Sequence, residues 1–110
     1  KLRIDDTALL RAADSGHITV VRELLKSGAN VHATNNRGSS ALLLAAGGGH
    51  TEVVKELLAG GANVEAAEDD GFTALLCAAG NGHIAQWLGL LHEGNVAFMQ
   101  IAHGGDKSGT

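Results

Sequence analysis

The side chains best equipped for chemistry here are the histidines, the one cysteine, a glycine-rich stretch and two acidic runs. His17, His50 and His83 recur at steps of 33 residues, so they share one structural role. A zinc site needs nitrogen ligands about 2.0–2.1 Å from a single ion. Helices packed side by side lie about 8–10 Å apart, so histidines presented once per packed unit form a row that does not converge. They read as turn residues bonded between neighbouring units, and no metal is expected. His92 and His103 stand alone. Gly80-x-Gly82-x-x-Ala85 matches the spacing of a dinucleotide-binding fingerprint. That fingerprint works only between a strand and a helix N-terminus, where backbone amides meet pyrophosphate. A helical stretch precedes it here, and one period earlier the slot is Gly47-Gly48-Gly49, a turn between helices. No cofactor is expected. Cys77 has no base nearby in sequence in an arrangement that would activate it, so it reads as a partly buried, inert thiol. Asp5-Asp6 and Glu68-Asp69-Asp70 read as solvated turn tips, because general acid work needs one carboxyl in an apolar environment. The chain is not expected to be an enzyme.

The histidine step extends to the elements that must position these residues. It links Ala12-Ala13 to Ala45-Ala46 and Ala78-Ala79, Leu24-Leu25 to Leu57-Leu58 and Leu90-Leu91, and Gly28 to Gly61 and Gly94. Agreement at so many positions marks an internal repeat. Each unit reads as two short helices. Thr7, Ser40 and Thr73 stand at the N-cap of the first, where a hydroxyl accepts from a free backbone N–H. This helix carries Ala-Leu-Leu and then Ala-Ala, and Gly16, Gly49 or Gly82 ends it. The second helix is predicted over 18–26 and 51–59, with Val20, Val21, Leu24 and Leu25 on one face. Gly28 and Gly61 fit the left-handed closing position. Neither helix reaches the ~12–15 residues needed for stability alone in water. Their apolar stripes must be buried by the units above and below, which predicts an all-α domain built as an α-solenoid. Repeat one covers about 1–33, repeat two about 34–66 and repeat three about 67–97, with a C-terminal cap or the start of a further repeat over about 98–110.

The pattern resembles the ankyrin repeat, whose signature joins a glycine-containing hairpin, Thr-Pro-Leu-His-x-Ala, Gly-His and a closing Leu-Leu-x-x-Gly-Ala. Repeat two carries Gly38, Ser40, Ala41, Leu42, Ala45, Ala46, Gly49, His50, Leu57, Leu58, Gly61 and Ala62 at those places, and the resemblance spans about residues 5–96. The motif's proline is replaced by Ala8, Ala41 and Ala74, and its histidine by Leu10, Leu43 and Leu76. The histidine's bond to the threonine hydroxyl is therefore missing. Some loss of rigidity is expected at each hairpin-to-helix junction, offset in part by leucine burial. Repeat three is degenerate, with a residue dropped after Gly94 and Gln86-Trp87 in place of the paired valines; Trp87 reads as cap packing. Repeat one has Asp5 where the others have Gly38 and Gly71. Asp106-Lys107-Ser108-Gly109-Thr110 resembles the opening of another hairpin, preceded by Phe98, Met99 and Ile101. The row Arg22, Lys55, Leu88 turns apolar, so a cover over Leu88 is expected. A fragment of a longer array and a small natural or engineered protein with its own cap both fit these features.

The resemblance implies a protein–protein interaction module whose partner lies against the hairpin tips and the exposed side of the first helices. The positions that vary between repeats cluster in those two places. On the tips the candidate contacts are Asn36, Arg37, Ser39, Asp69, Asp70 and Phe72. On the first helices they are Arg11, Asp14, Ser15, Leu44, Gly47, Gly48, Cys77 and Asn81. With 45% hydrophobic and 18% charged residues the composition is that of a folded domain, and no apolar run approaches the ~20 residues of a membrane helix. A net charge of −4 argues against nucleic acid and anionic membrane as partners. That charge is graded, from +1 over residues 1–33 through −1 over 34–66 to −4 over 67–110. The expected partner is therefore a helix or loop with basic groups facing Glu68-Asp69-Asp70 and an apolar element over Leu44 and Phe72. Gly47, Gly48 and Gly80 leave a shallow floor that suits polypeptide better than a small ligand. A monomer is expected unless the apolar C-terminal end self-associates. The single cysteine and the absence of a basic-then-apolar leader pattern favour the cytoplasm or nucleus. The alternatives are a recruiting segment of a larger multidomain protein and an engineered scaffold without a natural partner.

Overall fold

The computed structural model describes residues 3–83. The expectations placed on Trp87, Leu88, Gly94, the second helix of repeat three and residues 98–110 lie outside the described residues. Five helices occur within them: α1 (Ile4–Ser15), α2 (Ile18–Lys26), α3 (Ala41–Gly48), α4 (Thr51–Ala59) and α5 (Ala74–Gly80). First helices α1, α3 and α5 pack in one row, and second helices α2 and α4 pack in another behind it. This is the all-α repeat solenoid expected from the period.

One device sets the helix ends. Gly16, with φ 77°, donates its N–H to Ala13, and the N–H of His17 reaches back to Ala12 at 3.0 Å. The same crossed pair recurs at Gly49-His50 on Ala46 and Ala45, and at Gly82-His83 on Ala79 and Ala78. It closes the second helices too, at Gly28-Ala29 on Leu25 and Leu24 and at Gly61-Ala62 on Leu58 and Leu57. This is the Schellman closure, in which a left-handed glycine satisfies carbonyls left over at a helix end. The two sequence signals, Ala-Ala-x-x-Gly-His and Leu-Leu-x-x-Gly-Ala, are thus one motif in two settings.

The starts of the first helices are less uniform. Ser40 and Thr73 cap α3 and α5 by accepting from the N–H groups of Leu43 and Leu76, each at 3.4 Å. Thr7 does not cap; α1 begins three residues earlier, at Ile4, after Arg3. Asp5 replaces the hairpin glycine in this repeat, and Asp5 and Asp6 fall in the first helical turn, where free N–H groups favour negative charge. In repeats two and three the approach is a short hairpin, closed by antiparallel bridges Thr34–Ser40 and Ala67–Thr73. Asn35 shapes the first of these by accepting from the N–H groups of Arg37 and Ser39 at 2.9 and 3.0 Å. The N–H of Asp69 donates to the carbonyl of Arg37 at 3.0 Å, so successive tips are joined by backbone.

Layers are completed only by their neighbours. Leu42, Leu43, Val53, Val54 and Leu57 of the middle repeat are all buried, each worth about 1.5–3 kcal/mol relative to exposure. Val20 is 47% exposed, whereas Val53 in the same slot one repeat on is 1% exposed. Leu76 is 50% exposed, against 2% for Leu43 and 5% for Leu10. The leucines that stand in for the motif's histidine are therefore buried in repeats one and two and half open in repeat three.

Candidate functional site

The outer side of α1 and α3 and the hairpin tip of repeat two enclose a groove. Its first part, about 530 Å³, lies between Thr7, Leu10, Arg11 and Asp14 of α1 and Asn35, Asn36 and Arg37 of the tip, with Leu44 of α3 beyond. A second part, about 260 Å³, continues over Leu44, Gly47 and Gly48 to Glu68, Cys77 and Asn81. Asp14, Arg37 and Leu44 line both parts. Helical spacing explains the alignment: Arg11 and Asp14 are three residues apart on α1, as Leu44 and Gly47 are on α3, and such pairs share one face. Most of the candidate contacts thus converge, namely Arg11, Asp14, Asn36, Arg37, Leu44, Gly47, Gly48, Cys77 and Asn81. Ser15, Asp69 and Asp70 are exposed beside the groove without lining it.

Two sequence expectations are corrected by burial. Ser39 is 0% exposed, and its hydroxyl donates to the carboxylate of Glu68 in the next tip. Asp6 occupies the same slot one repeat earlier and is buried as well, with Oδ1 accepting from the backbone N–H of Asn30 at 2.9 Å; it is not a solvated tip. Phe72 is third in this series and is 48% exposed. Phe72 is absent from the lining of both parts of the groove. Asp6 and Ser39 make different contacts from one slot, Asp6 with the Asn30 N–H and Ser39 with Glu68. Cys77 is buried in the groove floor, and burial, then Glu68 and Asp70, push its thiol above the ordinary range.

His50 and His83 take the interlayer role expected of the histidine row. Nε2 of His50 lies 3.0 Å from the carbonyl oxygen of Asp14, and its ring packs where a side chain on Gly16 would stand. His83 packs on Gly49 in the same manner. Gly48, read from sequence as open floor, also serves this contact, since a Cβ there would come within 2.6 Å of the His50 ring. Gly80 has nothing within 4 Å of such a Cβ. Sequence reasoning gave Thr7 and Leu10 local roles and gave Asn35 none; α1 lying opposite a tip brings these three together as groove walls, while Glu68, expected to face a basic partner, lines the second part.

Among the described residues no group of three or more His, Cys, Asp or Glu side chains is arranged to hold a metal, and no helix is long and apolar enough to cross a membrane. A family model described as ankyrin repeats (3 copies) matches residues 9–97. The chain belongs to the ankyrin repeat family. Ankyrin repeats are generally protein–protein interaction modules, and the family is typically non-enzymatic. No curated protein matches this ankyrin sequence closely enough to name as a relative.

Proposed function

We propose that this ankyrin stack binds another protein, in the cytoplasm or nucleus, through the groove between its first helices and hairpin tips, and that it acts by recruitment without chemistry of its own. The observation that carries this reading is the state of the groove side chains. The guanidinium groups of Arg11 and Arg37 have no hydrogen bond or ion pair among the described residues, and Leu44 is only half buried. Residues that the fold holds but does not use leave their interactions for a partner. The groove is open and shallow, with Gly47 and Gly48 along one wall, which favours a helix or loop over an enclosed small molecule. Apolar contact over Leu44 and polar contact around it match the usual division of a protein interface into an apolar centre and a polar rim.

The test is affinity capture from a cell extract with the whole chain as bait, repeated with Arg37→Ala plus Leu44→Ala and with Glu23→Ala plus Lys26→Ala on the opposite side. A captured protein lost on the groove variant and kept on the control supports the reading. Capture that survives the groove substitutions refutes it.

A further inference from the structure

The groove changes sign along its length. In the part between repeats one and two, Arg11 and Arg37 face a single carboxylate, Asp14. In the adjoining part Arg37 and Asp14 offset one another and Glu68 adds negative charge, with Asp69 and Asp70 exposed on the tip beyond. Leu44 lies between the two halves. The second helices are organised differently, since each of their basic side chains has an acid: Arg22 with Glu56 at 3.2 Å, Lys26 with Glu23 at 3.6 Å and Lys55 with Glu52 at 3.4 Å. Cations are thus paired behind the stack and unpaired in its groove.

We propose that the occupant of the groove is a protein segment carrying a carboxylate, an apolar side chain and a cation, in that spatial order. The carboxylate sits between Arg11 and Arg37, the apolar group lies on Leu44, and the cation points toward Asp69 and Asp70. This rests on the protein-binding reading and adds an acidic anchor to a partner expected from sequence to be basic. A guanidinium presents planar N–H donors that match a carboxylate, which a point charge does not. The apolar flanks, Leu10 and Leu44, lower the local dielectric and strengthen that bond relative to open water. Glu68, with Asp69 and Asp70 beyond it, repels a carboxylate placed further along and so fixes the direction of binding. A segment docked in reverse sets like charges against each other at both ends, the form of discrimination that repulsion supplies.

The experiment selects binders from a displayed library of random peptides on the immobilised full chain, then measures synthetic copies of the selected peptides against variants. Selected peptides should carry an acid and a base on opposite sides of an apolar residue. Arg11→Ala and Arg37→Ala should each weaken them about 5- to 20-fold, Arg22→Ala should leave them unchanged, and raising salt should weaken them further. Both arginines are exposed, and the helical circular dichroism of each variant checks that the stack is intact. Peptides lost on Leu44→Arg or on the second blocking change, Asn81→Arg, yet lacking an acid or indifferent to both arginine variants, would overturn the acidic anchor and leave the protein-binding reading standing. Selected peptides indifferent to both blocking changes, or none selected, would overturn the two together.

Discussion

Replacing Gly16 by alanine should cost the stack more than the same replacement at Gly28, and the difference measures how closely the layers approach. Both glycines have positive φ, 77° and 90°, so alanine pays the left-handed penalty of about 1–2 kcal/mol at either site. A Cβ on Gly28 would meet nothing within 4 Å. A Cβ on Gly16 would lie 2.5 Å from Nδ1 and 2.8 Å from Cε1 of His50, well inside the ~3.5–4.0 Å of normal contact. The ring must then move away, and its bond to the Asp14 carbonyl is lost with it. Overpacking of this kind costs about 1–3 kcal/mol, and the hydrogen bond adds about 0.5–1.5 kcal/mol. The expected loss is about 2.5–6.5 kcal/mol at Gly16 against about 1–2 kcal/mol at Gly28. Urea unfolding of the whole chain, followed by helical circular dichroism, reads both losses, and unchanged slopes would show that the unfolding reaction is the same. A cycle with His50→Ala isolates the interlayer part, because the excess at Gly16 should vanish when the ring is absent. Equal losses at the two glycines, or an excess that survives His50→Ala, would refute the close-approach account.

Other substitutions probe separate links. Asp6→Ala removes the acceptor for the Asn30 N–H and should cost about 1–3 kcal/mol in the same urea assay, whereas Asp6→Asn keeps an oxygen there and should cost less. Leu57→Ala opens a cavity in a fully buried site and should cost about 2–5 kcal/mol. The Cys77 thiol, held above the ordinary range by burial and by Glu68 and Asp70, should react with iodoacetamide more slowly in the folded chain than in urea near neutral pH. The folded form holds that proton more tightly, so the associated stability is intact below the ordinary thiol range and is lost as pH rises through the elevated folded value. A pH series of urea midpoints, compared with Cys77→Ala, checks the sign.

The period of 33 residues was enough to determine the architecture, because helices too short to stand alone can persist only by stacking on copies of themselves. The helix ends were legible for the same reason: a left-handed turn demands glycine, and the residues whose carbonyls it satisfies sit at fixed offsets before it. The interlayer role of His50 also followed from its recurrence once per unit. Tertiary structure decided what lies inside a layer contact and what lies in the groove. Ser39 and Arg37 look alike in sequence, as variable residues on one hairpin tip. Yet Ser39 turns into the next layer to meet Glu68, while Arg37 faces α1 across open space. Asp6 was misread because an acid near a turn is usually solvated, and only the Asn30 amide approaching from a later loop makes its burial tolerable. Side-chain type and spacing fix what each repeat is made of. Which face a neighbour covers depends on the pairing of distant segments, and that pairing sets the burial and electrostatics of the groove.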